Sequence, residues 1–490
     1  MARTSNAPPS PSPSADAPSA DAPSADAPSA APATREQRLI LWIAILATFV
    51  AFLDGTVVNV ALPAILEEFG GGIALQQWVV DAYLITLGAL ILVAGSVSDL
   101  YGRIRVLRVG IIGFGVASLA VALAPTGGVL IVARLVQGAA GALLVPSSLA
   151  LIMSNYRGAA QARAIGVWTS ATSAAMIVGP ILGGLSVDVA TWRLAFVINV
   201  LPIAAVLALL TRLEQRDVRV PGTRIDAWGA VLCAAGLGAA VYALIEAPTR
   251  GWSDARIWVP AAAGVALLVA FAWRQAVARQ PMMPLGLFRV RNFAWGNAAT
   301  ALIYGALALV SFLIGVYLQE GPGLSATAAG LAQLPVVFMM ILLSPRVGAL
   351  AGRIGPRAFM TAGPLIMAAG TALFLTVSRD FSYGAQILPG ILVFGLGLAL
   401  TVSPLTSAIL GAIDSARSGI ASAVNNAVSR IAGLVMIALL GTIVGGQLDL
   451  AGFHRAVVVT TALLALGGVV SFVGIRNARP AEAERAPETA

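Results

Sequence analysis

One cysteine, one histidine and no lysine stand among the 490 residues, and all charged residues together make up only 11% of the chain. A lone Cys233 excludes an intrachain disulfide, and a lone His454 excludes a histidine-based metal cluster. The chain also lacks a Walker phosphate loop, a nucleophile elbow and any zinc-ligand spacing. ATP hydrolysis, covalent hydrolysis and zinc chemistry therefore have no residues to carry them, no cofactor is expected, and any work must draw on an ion gradient. A soluble domain has about 25% charged residues. A chain with less than half of that, 58% hydrophobic residues and a mean hydropathy of +0.89 cannot hide its apolar surface from water. Lipid is the solvent this composition requires. Soluble enzyme, nucleic-acid binder and secreted scaffold are excluded together.

What is present is apolar sequence in blocks. A spanning helix takes about 20 residues, so the stretch from Arg35 to Arg476 has room for well over ten. Residues 1–34 repeat Ala-Asp-Ala-Pro-Ser, bury nothing, and are expected to be a disordered tail. The first apolar run begins only at Leu39 and continues past Pro63 without a cleavage site, so it reads as a retained helix. Arg clusters, Gly and Pro divide the remainder into fourteen expected spans: 39–63, 78–97, 106–124, 129–152, 164–187, 192–211, 227–246, 257–274, 293–318, 327–345, 358–377, 385–408, 420–444 and 456–475.

All 30 basic residues are Arg, and the net charge is +8. In a membrane protein such an excess marks the cytoplasmic side. With fourteen spans, Arg103, Arg105, Arg108, Arg157, Arg163, Arg212, Arg216, Arg219, Arg224 and their counterparts in later loops fall on the side of both termini. Arg193, Arg250, Arg256, Arg379 and Arg455 fall on the other. Removing one span would destroy that bias. Both termini are therefore expected in the cytoplasm.

The chain also repeats itself. Gly95-Ser-Val-Ser-Asp99-Leu-Tyr-Gly102 follows span two and Gly348-Ala-Leu-Ala-Gly352-Arg-Ile-Gly355 follows span ten, an offset of 348 − 95 = 253. The same offset carries Leu39 to residue 292, beside the start of span nine. Spans 1–6 and 9–14 read as two copies of a six-helix unit, with spans seven and eight inserted. The expected divisions are a tail (1–34), a first bundle (35–211), a loop with two inserted helices (212–275), a linker with a second bundle (276–475) and a second tail (476–490). Duplicated halves with a site between them characterise secondary transporters.

Four motifs carry a resemblance to the major facilitator superfamily, and within it to the fourteen-span drug:proton antiporters. They are Leu53-Asp54-Gly-Thr-Val-Val-Asn59-Val-Ala-Leu-Pro63 in span one, Gly95-x-x-x-Asp99-x-x-Gly102-Arg103-x-Arg105 after span two, Arg134-x-x-Gln137-Gly138 in span four, and Gly179-Pro180-x-x-Gly183-Gly184 in span five. Trp192-Arg193-x-x-Phe196-x-Ile198-Asn199 resembles the same subfamily. Val97 and Gly352 depart from the pattern, which removes a symmetric role for the second loop. The resemblance implies an all-α polytopic fold of two six-helix bundles plus two helices. It also implies proton-driven efflux of amphipathic, hydrophobic or cationic drugs or antibiotics across the cytoplasmic membrane. A dedicated exporter of one natural product or lipid is the alternative, ahead of an uptake symporter or a non-transporting membrane protein. The expected partners are a small organic substrate, protons and the lipid bilayer; the chain is expected to act as a monomer, without nucleic acid.

An ionisable residue at mid-membrane costs about 2.5–3.5 kcal/mol on insertion scales, so Asp54 is expected to face the interior with Arg134 as its cation. The resemblance places both on the proton path, and Gln137 and Asn59 are expected to extend their network. Asp81, one turn inside span two, is either a contact for a cationic substrate or a headgroup-level charge. Glu246 reads as a solvated end charge and Arg430 as a snorkelling one. Asp99, Arg103 and Arg105 are expected to pair around tight glycine turns, and by resemblance latch one conformation. Gly179, Pro180, Gly183 and Gly184 allow close helix approach and a kink; by resemblance the kink accompanies export. Trp42, Phe49, Phe52, Trp168, Phe312, Tyr317 and Phe338 are the aromatic candidates for a cavity lining.

Overall fold

The computed structural model describes residues 34–214, 217, 219, 225–414 and 417–477. The repeat tail up to residue 33, Arg216 and Arg224 of the loop after span six, and Arg479 and Arg485 of the C-terminal tail lie outside the described residues. Thirteen described helices are long and apolar enough to cross a membrane, and a shorter apolar one supplies the fourteenth. In chain order they are α1 (Arg35–Phe69), α2 (Gly72–Tyr101), α3 (Arg103–Ala122), α4 (Gly127–Asn155), α5 (Arg163–Val189), α6 (Leu194–Leu210), α7 (Ala227–Arg250), α8 (Ala255–Val277), α9 (Arg291–Glu320), α10 (Ala326–Ile354), α11 (Arg357–Thr376), α12 (Tyr383–Leu410), α13 (Ser418–Val444) and α14 (Leu450–Gly474). The protein is a multi-pass, all-helical membrane protein, with no strand among the described residues.

The helices run past the apolar runs because caps, not hydropathy, end them. Thr34 and Gln37 form a reciprocal capping box at the start of α1, with bonds of 3.0 and 3.1 Å. Asp449 caps α14 through the Gly452 amide at 2.7 Å. The α6 segment departs most from the expected continuous span. Regular helix covers Leu194–Val197 and then Val200–Leu210. Its entry is fixed by side chains: Glu68 at the end of α1 accepts from Trp192 Nε1 at 2.8 Å and from Arg193 at 2.5 Å.

Helices α1–α6 pack on one another, α9–α14 form the other half, and the α7–α8 hairpin leans on α2 and α13. Trp228 and Trp273 at one end of the hairpin and Trp252 and Trp258 at the other are all exposed. Two tryptophan levels bracketing an apolar surface are what lipid interfaces select. Asp226 staples the hairpin, accepting from Arg274 Nε (2.6 Å), Gln275 Nε2 (2.9 Å) and the Gly229 amide (3.0 Å). Burial pushes this carboxyl up, but the donors outweigh it and hold Asp226 below the ordinary Asp value.

The sequence repeat has a structural counterpart. Gly102 ends α2 at φ +101° and Gly355 ends α10 at φ +91°, again 355 − 102 = 253 residues apart. Each turn is closed by the segment that follows its half. The Asp217 carboxylate accepts from the Ile104 and Arg105 amides at 2.7 and 2.9 Å, and Asn477 Oδ1 from the Arg357 amide at 3.1 Å.

The end of the bundle that carries Arg35 and Gly474 is here the terminal end, and the opposite one the far end. Hydrogen bonds fasten the two halves at the far end. Gln76 donates to Glu320 at 2.6 Å, Gln77 to the Ala438 carbonyl at 2.9 Å and Gln319 to the Val60 carbonyl at 3.2 Å. Asp188 at the end of α5 caps α10 in the other half, accepting from the Ala326 and Thr327 amides at 3.0 and 2.9 Å.

Candidate functional site

Asp54 stands 19 residues after Arg35 and 15 before Phe69 in α1, deep in the span. It is 1% exposed, and Arg134 is 0% exposed. Arg134 Nη1 donates to Asp54 Oδ2 at 2.6 Å and to Gln137 Oε1 at 2.7 Å. Gln137 Nε2 donates to Asp54 Oδ1 and to Ser118 Oγ, both at 2.8 Å. Asn199 Nδ2 reaches Asp54 Oδ1 at 3.2 Å. Arg134 Nε donates to the Val79 carbonyl of α2 at 2.9 Å, and its guanidinium lies 4.5 Å from the Tyr83 ring centre. Helical spacing makes this compact: Arg134 and Gln137 are three apart on one face of α4.

Three donors converge on Asp54, which is the set an ionised carboxylate uses. A buried pair without such satisfaction would not repay its desolvation. Asn199 presents Nδ2 to the acid while its Oδ1 is buried without a partner. A half-turn of that amide would offer an acceptor to a protonated Asp54. The cluster therefore has the means to accommodate both charge states of the acid.

Asn59 does not join the network. Five residues at 100° each place it about 140° around α1 from Asp54, and it lines a cavity between the halves instead. Ser118 and Asn199 take the place expected for it. Asp81 fits neither expectation, because α2 begins at Gly72 and buries it nine residues inside. It is 0% exposed and neither carboxylate oxygen meets a donor. Glu246 is not a free end charge: it accepts from Arg250 at 3.2 Å and from Trp78 Nε1 at 3.3 Å. Arg430 does not snorkel. It turns inward, over the Phe52 ring at 5.7 Å.

At the terminal end Arg103 pairs with Asp99 at 3.1 Å and donates to the Ala150 carbonyl of α4 at 3.0 Å. The Arg105 side chain is not drawn into this pair; its backbone amide is held by Asp217, an acid from another loop. Gly102 is required by its positive φ and because a Cβ there would strike the Asp217 carboxylate. Gly95 has open space around it. In α5, a Cβ on Gly179 would strike Thr56, one on Gly183 would press on the Val57 backbone at 3.3 Å, and one on Gly184 would sit 2.5 Å from Thr327 Cα. The first two glycines bring α5 onto α1; Gly184, with Pro180 against Gly330, brings it onto α10 of the other half.

The cavity, about 100 Å³, is lined by Thr56, Asn59, Met176, Pro180, Ser311 and Gln333 with apolar residues of α9 to α12. Among the described residues no charged one lines it. Its aromatics are Phe374 and Phe394; Trp42 and Phe338, expected as candidates, are 57% and 59% exposed on the outside.

The sequence pattern of the Major Facilitator Superfamily matches residues 44–437. The multidrug resistance protein Stp of Mycobacterium tuberculosis is 36% identical over 421 residues, covering 85% of this chain and 77% of that protein. The tetracenomycin C resistance and export protein of Streptomyces glaucescens is 32% identical over 397 residues, 81% of this chain and 73% of that one. The crystal structure of a D-xylose-proton symporter superposes with a TM-score of 0.65 over 90% of this chain and 98% of that chain, at 14% identity, a likeness of fold alone. The chain thus belongs to the major facilitator superfamily, alongside its drug- and antibiotic-resistance transporters, and is a transport protein and not an enzyme.

Proposed function

We propose that the protein exports amphipathic drugs or antibiotics across the cytoplasmic membrane by alternating access, driven by the proton gradient. The observation that carries this reading is the buried Asp54–Arg134 pair with its Gln137, Ser118 and Asn199 shell. A gradient-driven antiporter needs a group whose protonation differs between its two faces, and Asp54 is an acid held at mid-span by groups from α4 and α6. The relatives named for multidrug resistance and for tetracenomycin C resistance and export support the direction and the substrate type. The Arg bias places the terminal end, with both chain ends, in the cytoplasm. The far-end closure then corresponds to the state that accepts substrate from inside. Substrate enters while Asp54 is deprotonated, and the loaded carrier opens at the far end. A proton arriving there removes the charge of Asp54 from Arg134, loosens the cluster that joins α1, α3, α4 and α6, and displaces the substrate before the carrier returns. A monomer suffices for this cycle, and no cofactor enters it.

Expression in an efflux-deficient host, challenged with a compound panel with and without a protonophore, tests the reading. Raised tolerance that the protonophore abolishes is expected. Unchanged tolerance and accumulation of every compound in cells with the protein well inserted would overturn it.

A further inference from the structure

We infer that the cleft between the halves takes its substrates as amphipathic aromatic anions, and that Arg430 receives their acidic group. The inference rests on the export reading above and names the substrate class for it.

Arg430 lies 12 residues after Ser418 and 14 before Val444, at the middle of α13. A rise of about 1.5 Å per residue puts either end about 18–21 Å away, beyond the reach of its side chain. A guanidinium is a permanent cation with five donors and no acceptor. Among the described residues it makes no ion pair and no hydrogen bond, and its Nε is shut away from solvent without a partner. A single ring, Phe52, faces it, and a ring compensates a cation only in part. The buried Arg134 is handled differently, with Asp54, Gln137 and the Val79 carbonyl around it. A mid-membrane cation left without an anion is costly and needs a reason to persist.

The surroundings fit an arriving anion. Gly88 of α2 lies against the Arg430 stem, so the residue sits on the seam between the halves. Tyr83 and Tyr304 are close enough to feel its charge. Asn426, one turn earlier on α13, leaves its carboxamide without a partner among the described residues. Phe52, Thr56 and Asn59 form one stripe of α1 at i, i+4 and i+7. The last two line the cavity, and the first lies under the Arg430 guanidinium, so cavity and cation share one stripe of α1. At about 100 Å³ the cavity is smaller than the roughly 300–1,000 Å³ of drug sites. It holds an aromatic end, with the polar end reaching back toward Arg430.

The acids that would recruit a cation are engaged or sealed. Asp54 is held by Arg134, Gln137 and Asn199, Asp81 is fully buried, and among the described residues no acid lines the cavity. A positive charge focused in a low-dielectric cleft selects carboxylates, sulfonates and ionised phenols on aromatic frames.

The test titrates the purified full-length protein with anthracene-2-carboxylate, its neutral carboxamide and a trimethylammonium anthracene, followed by probe fluorescence. A charge-assisted bond to Arg430 should make the carboxylate bind about tenfold or more tightly than the amide, with the cation weakest. Arg430→Gln should remove that preference, and Arg430→Lys should retain part of it. Equal binding of carboxylate and amide by the parent protein, or preference for the cation, overturns the anion assignment and leaves the export reading standing. An unchanged carboxylate preference in Arg430→Gln overturns the role given to Arg430 and likewise leaves the export reading standing. The parent series needs no variant, so it decides even if Arg430→Gln fails to fold. If no probe binds and expressing cells export nothing, the export reading falls and this inference with it.

Discussion

Replacing Gly184 by Ala should open the far end. An added Cβ would stand 2.5 Å from Thr327 Cα, 2.7 Å from Thr327 N and 2.8 Å from Ala326 C. These are backbone atoms, and Asp188 pins both residues through their amides. No rotamer change relieves such a contact, so α5 and α10 must separate. Overpacking of this kind costs about 1–3 kcal/mol. That cost falls on the far-end-closed state, where the two helices meet. A bias of about 1–3 kcal/mol corresponds to a shift of about 5- to 150-fold between two conformations. The assay places a single reporter cysteine at Gln333, which lines the cavity from α10, in a Cys233→Ala background. A membrane-impermeant maleimide is applied at the far end. Gly184→Ala should speed labelling by that factor, whereas Gly95→Ala, with nothing within 4 Å of its Cβ, should not. Equal labelling rates in folded Gly184→Ala and its parent would refute the steric argument.

Further outcomes follow from the loops and the hairpin. Asp99→Asn should abolish transport while changing stability by less than about 1 kcal/mol, since the Asp99–Arg103 pair is partly exposed; transport and thermal unfolding measured on the same preparation check this. Gly102→Ala, forced to φ +101° against Asp217, should cost about 1–3 kcal/mol in thermal unfolding. The Asp226 carboxyl sits below its reference of 3.8 in the folded hairpin. Its contribution is therefore full above about pH 4 and is lost as pH falls through the folded value. Asp226→Asn should flatten that acid limb of a stability–pH profile.

Much of this was legible in the sequence because lipid makes charge conspicuous. Asp54 and Arg134 are polar exceptions in apolar runs, and each must find the other or pay heavily. Ser118 and Asn199 were not legible as ligands of that pair, since small neutral polar residues cause no break in hydropathy and occur throughout the spans. Asn59 was misplaced because nearness along the chain is not nearness around a helix; five residues turn it away. Asp81 and Arg430 depend on how α2 meets α13, a tertiary fact with no local signature. Asp217 was missed because it reaches the first inner loop from a distant segment. Helix ends were blurred for a related reason. Hydropathy marks the bilayer crossing, whereas caps such as Thr34 and Asp449 mark where hydrogen bonding stops. The repeat was clear because its glycines serve backbone geometry, and the matching positive-φ turns at Gly102 and Gly355 show that need directly.

Substrate-induced proton release from the purified protein tests the coupling claim most directly, using a transported compound with no titratable group of its own. The parent protein should release protons on substrate addition. Asp54→Asn should bind the compound, release none, and fail to pump against a gradient, while Asp54→Glu should retain part of both activities. Proton release and pumping by Asp54→Asn at parental levels would contradict the account and reduce the Asp54–Arg134 cluster to a structural pair.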